Sequence, residues 1–597
     1  MRNFSVFLAL LVASAVATTS AAAQLTPSTP VAAPTAPVSA AQPSAMQSSA
    51  TQQSATRADA EKDPILQAML VELDRNRQRL ELKDSAKPYF FEFRIDDVVE
   101  YNANAAWGAL TGEHESHSRM ARVRVRVGDY KFDNSHAKVD NQFMAIMERF
   151  GLGGDGMIAI EVLDNDPMAL RYALWTAADT AYKMALDDLA KKQAELKTVQ
   201  TPPEANSFSQ EKPVIYFEEP RRLELDRDFW KKQIADGSGV IFTDPAAKVF
   251  APEIENSTGQ IKGWVRTSYL VNSEGSIVRT GDSDYTAQVA FEAQAADGMR
   301  LQRSYPLAEV ESKNLGTAEH FQKGVLHALQ GLDELIHAPV VDDDYHGPIL
   351  LKGNAAATSM LDLLGKAVEA HQPSMGSTAR TTGAFASAFQ TRVLPEFLSV
   401  VDDPTLTTFD GKKLIGAYHV DDEGVLAQRT ELVKDGKLVG YLLGREPIKD
   451  FPQSNGHGRA DSGRAPEPHI GVLKVEAANG LSDEDLEKKL IDLGKDQGLS
   501  FVYIVDTISG STSPRTMYRV NVTDGKRQIV RGAKLGDFNL RALRKSIVAA
   551  GNKPYVRSEF AGPHSTLIVP PLLFDDVEVK RGEEKDAKLP YYPPPAE

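Results

Sequence analysis

The chain has 597 residues, of which 42% are hydrophobic, and it carries a net charge of −15 and no cysteine. This length suffices for two or three domains with a large core, and the lack of cysteine excludes disulfides and thiolate metal ligands. The negative charge argues against a general affinity for nucleic acid or anionic lipid, because such binding needs Lys and Arg against phosphates.

The first 62 residues have the composition of a targeting segment followed by a spacer. Arg2, an apolar run over residues 4–17 and the small residues Ala21–Ala23 predict a cleavable signal peptide over residues 1–23. The run is shorter than the roughly 18 apolar residues that a spanning helix needs, which argues against an N-terminal anchor. We therefore expect an exported protein, periplasmic or extracellular, with no membrane span after cleavage.

A disordered tether is predicted over residues 24–62, which are rich in Pro, Ala, Ser and Gln. Such a composition offers too little bulky apolar surface to offset the entropy of ordering. The body of the protein then begins at Asp63, which can cap a helix over residues 64–82.

Residues 63–340 mix helix and strand patterns and predict an N-terminal α/β domain. Apolar residues at helical spacing predict a second, long helix over residues 167–197. Strands are expected at residues 89–95, and a hairpin at Asn272–Gly275. A mixed sheet with helices packed on it accommodates these elements.

Arginine alternates strictly with valine over Arg122–Val127, which predicts a strand with one buried face. The simplest interpretation places the arginine row on the face that meets water. Binding of an anionic substrate by this row is the alternative.

Residues 341–582 predict a second domain that is rich in short strands. Asp-Gly pairs at 410–411, 435–436 and 524–525 mark hairpin turns, a helix is expected over residues 483–497, and a Pro-rich tail occupies residues 583–597. The predicted strands are 413–418, 426–433, 437–443, 471–475, 501–505, 518–522 and 527–530. The fold class predicted for the whole chain is α+β.

Four blocks in this second domain carry a family resemblance. They are Val400–Pro404, Asp421–Val425, Lys434–Tyr441 and Ser454–Ala460. In this order they resemble the C-terminal domain of the TldD/PmbA metalloprotease-like family, once called modulators of DNA gyrase. The resemblance implies a β-rich C-terminal domain, a dimer, and a groove between subunits in which an unfolded or extended peptide pairs with a strand edge.

The resemblance also implies a place for zinc, but the residues there do not suit it. In metal-binding relatives a His-Glu-x-x-x-His helix follows an apolar strand, and residues 349–358 take that place here without His, Asp, Glu or Cys. The chain therefore resembles the metal-free branch of the family, whose members pair with a metal-bearing relative or have no assigned role. We expect no zinc site of the standard kind.

A non-standard zinc site remains the alternative that would make the chain an active metallopeptidase. Its candidate ligands in the second domain are His419, His457 and His469, if folding brings them together. His114 and His117 have i, i+3 spacing, which would suit zinc only on a helix.

The segment Asn455, Gly456, His457, Gly458 and Arg459 is the candidate for substrate binding. Its glycines allow close backbone approach, and His and Arg offer donors to a peptide carbonyl or carboxylate; a flexible polar loop is the alternative. The preceding Asp421-Asp422-Glu423-Gly424 is interpreted as an acidic hairpin turn, with hard-cation binding as its alternative.

Other catalytic signatures are weak. Residues 151–156 are glycine-rich but lack the lysine of a phosphate loop, and no Gly-x-Ser-x-Gly elbow of a serine hydrolase occurs. The sequence thus favours an exported, peptide-binding relative of metallopeptidases. A non-catalytic structural envelope protein is a further alternative.

Overall fold

A computed structural model describes residues 55–137, 157–160, 163–200, 204–341 and 345–582. The predicted signal peptide, most of the tether, the glycine-rich residues 151–156 and the Pro-rich tail lie outside the described residues. So do residues 342–344, next to the predicted domain boundary.

The N-terminal half contains one large sheet and several helices. The helices are α1 (Arg57–Ala60), α2 (Pro64–Arg79), α3 (Pro167–Leu196), α4 (Arg227–Ser238), α5 (Val240–Thr243), α6 (Pro245–Lys248) and α7 (Ala318–Ile336), with 3-10 turns at Ala251–Glu253 and Ser312–Asn314. The strands are β1 (Pro88–Ala106), β2 (Ala109–Val127), β3 (Met157–Ile160), β4 (Ile215–Phe217), β5 (Ile254–Asn272), β6 (Ile277–Gln294) and β7 (Arg300–Glu309).

Helices begin close to where the sequence places them. The Asp63 side chain accepts hydrogen bonds from the first free backbone amides of α2, and Asp166 does the same for α3. The helix α2 ends at Arg79, three residues before the predicted end. One correction concerns the tether, because its last residues include the short helix α1, in which Ala60 is fully buried.

The large sheet has the strand order β3-β2-β1-β5-β6-β4, and β7 also pairs with β6. The predicted hairpin between β5 and β6 is confirmed: the Asn272 side chain accepts from the amides of Glu274, Gly275 and Ser276. Odd-numbered residues of β1, such as Phe93 and Tyr101, pack under the helices in two neighbouring cores. Even-numbered residues therefore point to the opposite face.

The C-terminal half contains two further large sheets. Its strands are β8 (Tyr345–Leu351), β9 (Leu398–Asp402), β10 (Thr408–Phe409), β11 (Lys412–Lys413), β12 (Thr430–Lys434), β13 (Lys437–Leu438), β14 (Gly458–Arg459), β15 (Glu467–Pro468), β16 (Val472–Ala477), β17 (Phe501–Ser509), β18 (Ser513–Asn521), β19 (Arg527–Val530), β20 (Ala533–Gly536), β21 (Ile547–Ala550), β22 (Tyr555–Glu559), β23 (Ser565–Val569) and β24 (Leu572–Arg581). The helices are α8 (Gly353–Met360), α9 (Lys366–Val368), α10 (Asp483–Asp496) and α11 (Leu540–Lys545), with a π turn at Leu361–Gly365 joining α8 to α9.

One sheet has the order β13-β12-β9-β16-β23-β22, and the other β19-β18-β17-β8-β24-β20, with β21 on β24. The helix α8 contacts β17 of the second sheet and β22 and β23 of the first. Its buried residues join the main core of this half. The predicted α+β fold, with a mixed N-terminal sheet and a β-rich C-terminal domain, is confirmed.

Several of the predicted short strands differ from the structure. Residues 413–418 were expected to be extended, but pairing stops at Lys413 and a turn follows. The reason is Gly416, whose backbone amide donates to the hydroxyl of Thr566. Gly416 also lies so close to Gly471 that a Cβ on Gly416 would be 2.1 Å from the carbonyl oxygen of Gly471. The segment packs on the sheet instead of joining it. The strand predicted at 426–433 begins at Thr430, and the one at 437–443 ends at Leu438.

The Asp-Gly turn between β12 and β13 is confirmed by its backbone. Asp435 has φ of 46° and Gly436 has φ of 75°, the two positive values that a tight type I′ hairpin turn requires. No helix within the described ranges is long and apolar enough to cross a membrane.

Candidate functional site

The arginine row of β2 does not face water, which corrects the interpretation made from its alternation. Arg122, Arg124 and Arg126 are all buried, with at most 9% of each residue exposed. Arg122 donates to the carbonyl of Gly463 at 2.9 Å, and Arg124 donates to Glu423 at 3.0 Å. The row is thus covered by the C-terminal half of the same chain.

The acidic turn at residues 421–424 is the partner of this row. Its backbone forms the predicted tight turn, with Gly424 at φ of +77° and the amide of Gly424 bonded to the carbonyl of Asp421. All three carboxylates are nevertheless buried. The turn therefore lies between the two halves of the protein and not at an outer hairpin.

Each carboxylate of the turn has a different environment. Burial and the neighbouring Glu423 raise the pKa of Asp421 far above its usual value, although three backbone amides donate to it. Burial also acts to raise the pKa of Asp422, but Arg94, Arg266 and Arg459 outweigh it and lower that pKa. The turn thus combines a carboxyl group that favours its proton with one that is held ionised.

The predicted substrate-binding segment, residues 455–459, is packed against this turn. His457 is fully buried, with its Nε2 3.2 Å from Oδ1 of Asp402 and its Nδ1 2.9 Å from Oδ1 of Asn455. Arg459 donates to Asp422 at 3.0 Å and lies over the ring of Tyr418 at 4.1 Å.

The two glycines of the segment also make internal contacts. A Cβ on Gly456 would be 2.2 Å from the carbonyl oxygen of Leu426, and one on Gly458 would be 2.4 Å from Oε2 of Glu423. A peptide that reached His457 or Arg459 would have to displace these internal partners. The arrangement fits a structural clamp on the acidic turn better than an open binding loop.

The histidines considered as zinc ligands lie in separate environments. His419 contacts the ring of Tyr216, His457 bonds to Asp402, and Nδ1 of His469 lies 2.9 Å from the carbonyl of Ile470. They do not form a group of converging ligand atoms. His114 and His117 are on β2, a strand, where i and i+3 side chains point to opposite faces.

One set of three potential ligands does converge among the described residues, namely Glu253, Asp333 and His337. It lies on the surface beside the end of α7, with Glu253 and His337 exposed. Nδ1 of His337 already makes a hydrogen bond with the backbone carbonyl of Asp333 at 2.9 Å. Sequence spacing gave no indication of this group, and surface carboxylates gather in this way without a metal.

The helix that follows β8 stands where the family resemblance places a zinc helix. Its buried polar residues are Asn354, Thr358 and Ser359. Thr358 lies 3.3 Å from the Asn354 side chain and also bonds to the buried guanidinium of Arg557. An amide, two hydroxyls and a guanidinium do not form a donor set for zinc.

Two carboxyl groups at the end of this helix have unusual protonation. Burial raises the pKa of Asp362, which is in the π turn. Burial and the neighbouring carboxylates of Glu467 and Asp402 raise the pKa of Glu369 to about 8, although Lys366 opposes this. Sequence reasoning missed both groups, because their neighbours come from distant parts of the chain.

The strand β22 lies beside the same helix and ends its sheet. It pairs with β23 on one side, from Tyr555 opposite Val569 to Glu559 opposite Ser565. Its other edge has no strand partner within the described part of the chain. An open strand edge next to a helix with buried polar groups is the feature here that suits an extended ligand.

Comparison with protein families matches residues 345–581 to the family described as PmbA/TldA metallopeptidase C-terminal domain. A "Metalloprotease" of Archaeoglobus fulgidus is 27% identical over 170 residues, which cover 28% of this chain and 35% of the relative. A "Metalloprotease" of Synechocystis is 25% identical over 237 residues, covering 38% and 45%. The chain thus spans less than half the length of the curated relatives it matches.

Solved structures extend the likeness to both halves. A proposed modulator of a DNA gyrase from Thermotoga maritima has a TM-score of 0.53 at 16% identity, covering 86% of this chain and 99% of that chain. TldE from Thermococcus kodakarensis has the same TM-score and coverage at 14% identity. At such identities the likeness establishes the fold.

Proposed function

Since its C-terminal domain makes this chain a member of the TldD/PmbA family, we propose that it is an exported, metallopeptidase-related protein that binds unfolded or extended peptides. In this proposal it has no zinc site of the standard kind. It acts as a dimer, either with itself or with a metal-bearing relative. Export rests on the composition of residues 1–23.

The observation that carries the proposal is the open edge of β22 beside α8. An edge strand offers its unpaired N–H and C=O groups to any extended chain, and main-chain pairing of this kind is independent of peptide sequence. Gly353, at the start of α8, lies close to the Tyr555 side chain of β22, so the helix begins beside this strand. A peptide paired with β22 would run past the beginning of α8.

The residues of α8 explain why binding is proposed without hydrolysis. Zinc peptidases need imidazole or carboxylate ligands together with a carboxylate that takes the proton of water. Asn354, Thr358 and Ser359 supply none of these, and Arg557 brings a positive charge against them. The present residues do not fit the metal, and no catalytic step is assigned to it.

Backbone exchange tests the peptide-binding proposal directly. An unstructured peptide mixed with the purified protein is expected to slow amide hydrogen exchange in residues 555–559, because an added strand protects the outward amides of β22. The strand β13, at the far side of the same sheet, is already bonded on its outer side by residues 390–393, so it provides the control and is expected to exchange unchanged. Equal protection at both edges, or none at β22, would contradict the proposal and favour a structural envelope protein.

Metal analysis separates the proposal from an active metallopeptidase with a non-standard histidine site. The proposal expects far less than one tightly held zinc per chain, and peptide binding that survives treatment with a chelator. One zinc per chain, together with peptide cleavage that the chelator abolishes, would establish the rival.

A further inference from the structure

A small pocket between the two halves is lined by groups that the proposed function does not use. Lys192 of α3 and Ser207 form its N-terminal side, while residues 372–379 and Arg380 form the other. Its volume is about 60 Å³, room for only a few water molecules or a group the size of a carboxylate.

Lys192 is the central feature of the pocket. Only 4% of this residue is exposed, so its ammonium group has lost most of its water. Nζ donates to the Ser207 hydroxyl oxygen at 3.1 Å and lies 3.9 Å from Oδ1 of Asp133, beyond hydrogen-bonding distance. An ammonium has three N–H donors; the described residues provide one hydrogen-bond acceptor, and the Phe132 ring faces the ammonium with its centroid 4.9 Å from Nζ.

Two other donors that line the pocket are also unsatisfied. The Ser207 oxygen accepts hydrogen bonds from both Lys192 and the Asp133 amide, which leaves its own proton without an acceptor in the described part of the chain. Arg380 has a buried Nε that makes no hydrogen bond within the described ranges. Buried donors that lack acceptors among the described residues leave the pocket suited to an added acceptor.

The charges around the pocket favour a single negative charge on that acceptor. Among the described residues, each of the other nearby cations is paired with a carboxylate, and Lys192 lies 3.9 Å from Asp133, a carboxylate that it shares with Arg126. One positive charge is therefore left over when His136 is protonated, the form that Glu446 favours by raising the pKa of His136. The pairs are Lys449 with Glu204 at 2.8 Å, Arg380 with Asp450 at 2.6 Å, His136 with Glu446 at 2.7 Å and Arg126 with Asp133 at 2.8 Å. A dianion such as phosphate would exceed this surplus.

We propose that the pocket binds one carboxylate group, that of an amino acid or of a short peptide. Its oxygens accept from Lys192 Nζ and the Ser207 hydroxyl, with the Arg380 guanidinium on the opposite side of the pocket. This site is separate from the edge of β22, and it does not depend on strand pairing.

Binding of N-acetylglycine, measured by calorimetry or ligand-observed NMR, tests the proposal. The purified protein is expected to bind this acid at least about tenfold more tightly than N-acetylglycinamide, which has the same shape without the charge. N-acetyl-trialanine serves as the peptide arm, since stronger binding of this probe would identify peptide as the source of the carboxylate. These probes are too short to form a strand on β22, so their failure would leave the peptide-binding proposal unaffected.

Substitutions locate the binding. Lys192→Met is expected to weaken N-acetylglycine binding about tenfold or more, whereas Lys183→Met, an exposed lysine on the same helix, is expected to leave it unchanged. If the Lys192→Met protein is not properly folded, as judged by the loss of cooperative unfolding, Ser207→Ala replaces it as the test. Ser207→Ala is expected to weaken N-acetylglycine binding about threefold. Equal affinity for acid and amide, absence of binding, or full affinity in the Lys192 or Ser207 variant would overturn the proposal.

Discussion

Arg124 of the N-terminal half donates from Nη1 to Oε1 of Glu423 in the C-terminal half at 3.0 Å, and both side chains are almost completely buried. The same nitrogen lies 3.6 Å from Glu92, which is also buried. A buried ion pair contributes little net stability by itself, yet removal of one partner leaves an uncompensated charge in a place without water. This pair therefore makes the docking of the two halves depend on both charges.

Arg124→Ala is expected to lower the free energy of unfolding by about 3–5 kcal/mol, because Glu423 is left buried without its ion-pair partner. Urea denaturation followed by circular dichroism measures the loss. Arg392→Ala is the control, since its exposed pair with Glu396 contributes about 1 kcal/mol or less. A similar small loss in both variants would show that the Arg124 pair does not hold the halves together.

The arginine row shows what alternation in a sequence can establish. The period of two predicted the strand β2 and the face that Val123 and Val125 bury, and the structure confirms both. It could not predict what covers the other face, because the pattern is the same whether water or another domain lies there. Glu423, the partner of Arg124, is 299 residues away in sequence.

The candidate site was predicted less completely than the fold. Turn chemistry located the acidic turn and the glycines beside it, since these depend on local backbone geometry. Burial of His457 and Arg459 depends on packing between distant segments, as does the raised pKa of Glu369. No local signal in the sequence reports such packing.

Gly456 is expected to tolerate no side chain. Its φ is +72° and a Cβ there would be 2.2 Å from a backbone oxygen, so Gly456→Ala combines backbone strain with a clash that the carbonyl cannot avoid. Gly383 has a similar φ of +78° but open space around it. Gly383→Ala is expected to cost about 1–2 kcal/mol in unfolding free energy, and Gly456→Ala clearly more. Equal costs would mean that the loop at Gly456 relaxes easily.

Asp402 is expected to be among the most sensitive carboxylates of the C-terminal half. It is fully buried and accepts from the amides of Gly471 and Val472 while lying 3.2 Å from His457. Asp402→Ala leaves these donors without an acceptor, and each such buried group costs about 1–3 kcal/mol.

Asp403→Ala is the matched neighbour, because Asp403 is only partly buried and accepts from the amide and hydroxyl of Thr405 alone. Thermal unfolding of the two variants compares them. A larger loss for Asp403→Ala than for Asp402→Ala would contradict the assigned role of Asp402 as the acceptor that joins β9, β16 and the His457 segment.

Glu369 is expected to give the stability of the protein a specific dependence on pH. Its pKa is raised from 4.5 to about 8 by burial and by Glu467 and Asp402. Between these two pH values the folded state keeps the proton that the unfolded state has lost, so the folded state binds more protons. Stability therefore falls as pH rises through this window, by at most about 1.4 kcal/mol per pH unit, and levels off above pH 8. Glu369→Gln, which stays neutral, should lack this contribution and be more stable than the natural protein at high pH. The test measures the free energy of unfolding between pH 4.5 and pH 8 for Glu369→Gln, the natural protein and Glu396→Gln, which changes an exposed carboxylate and serves as the control. Parallel curves for all three proteins would show that Glu369 ionises freely in the folded state.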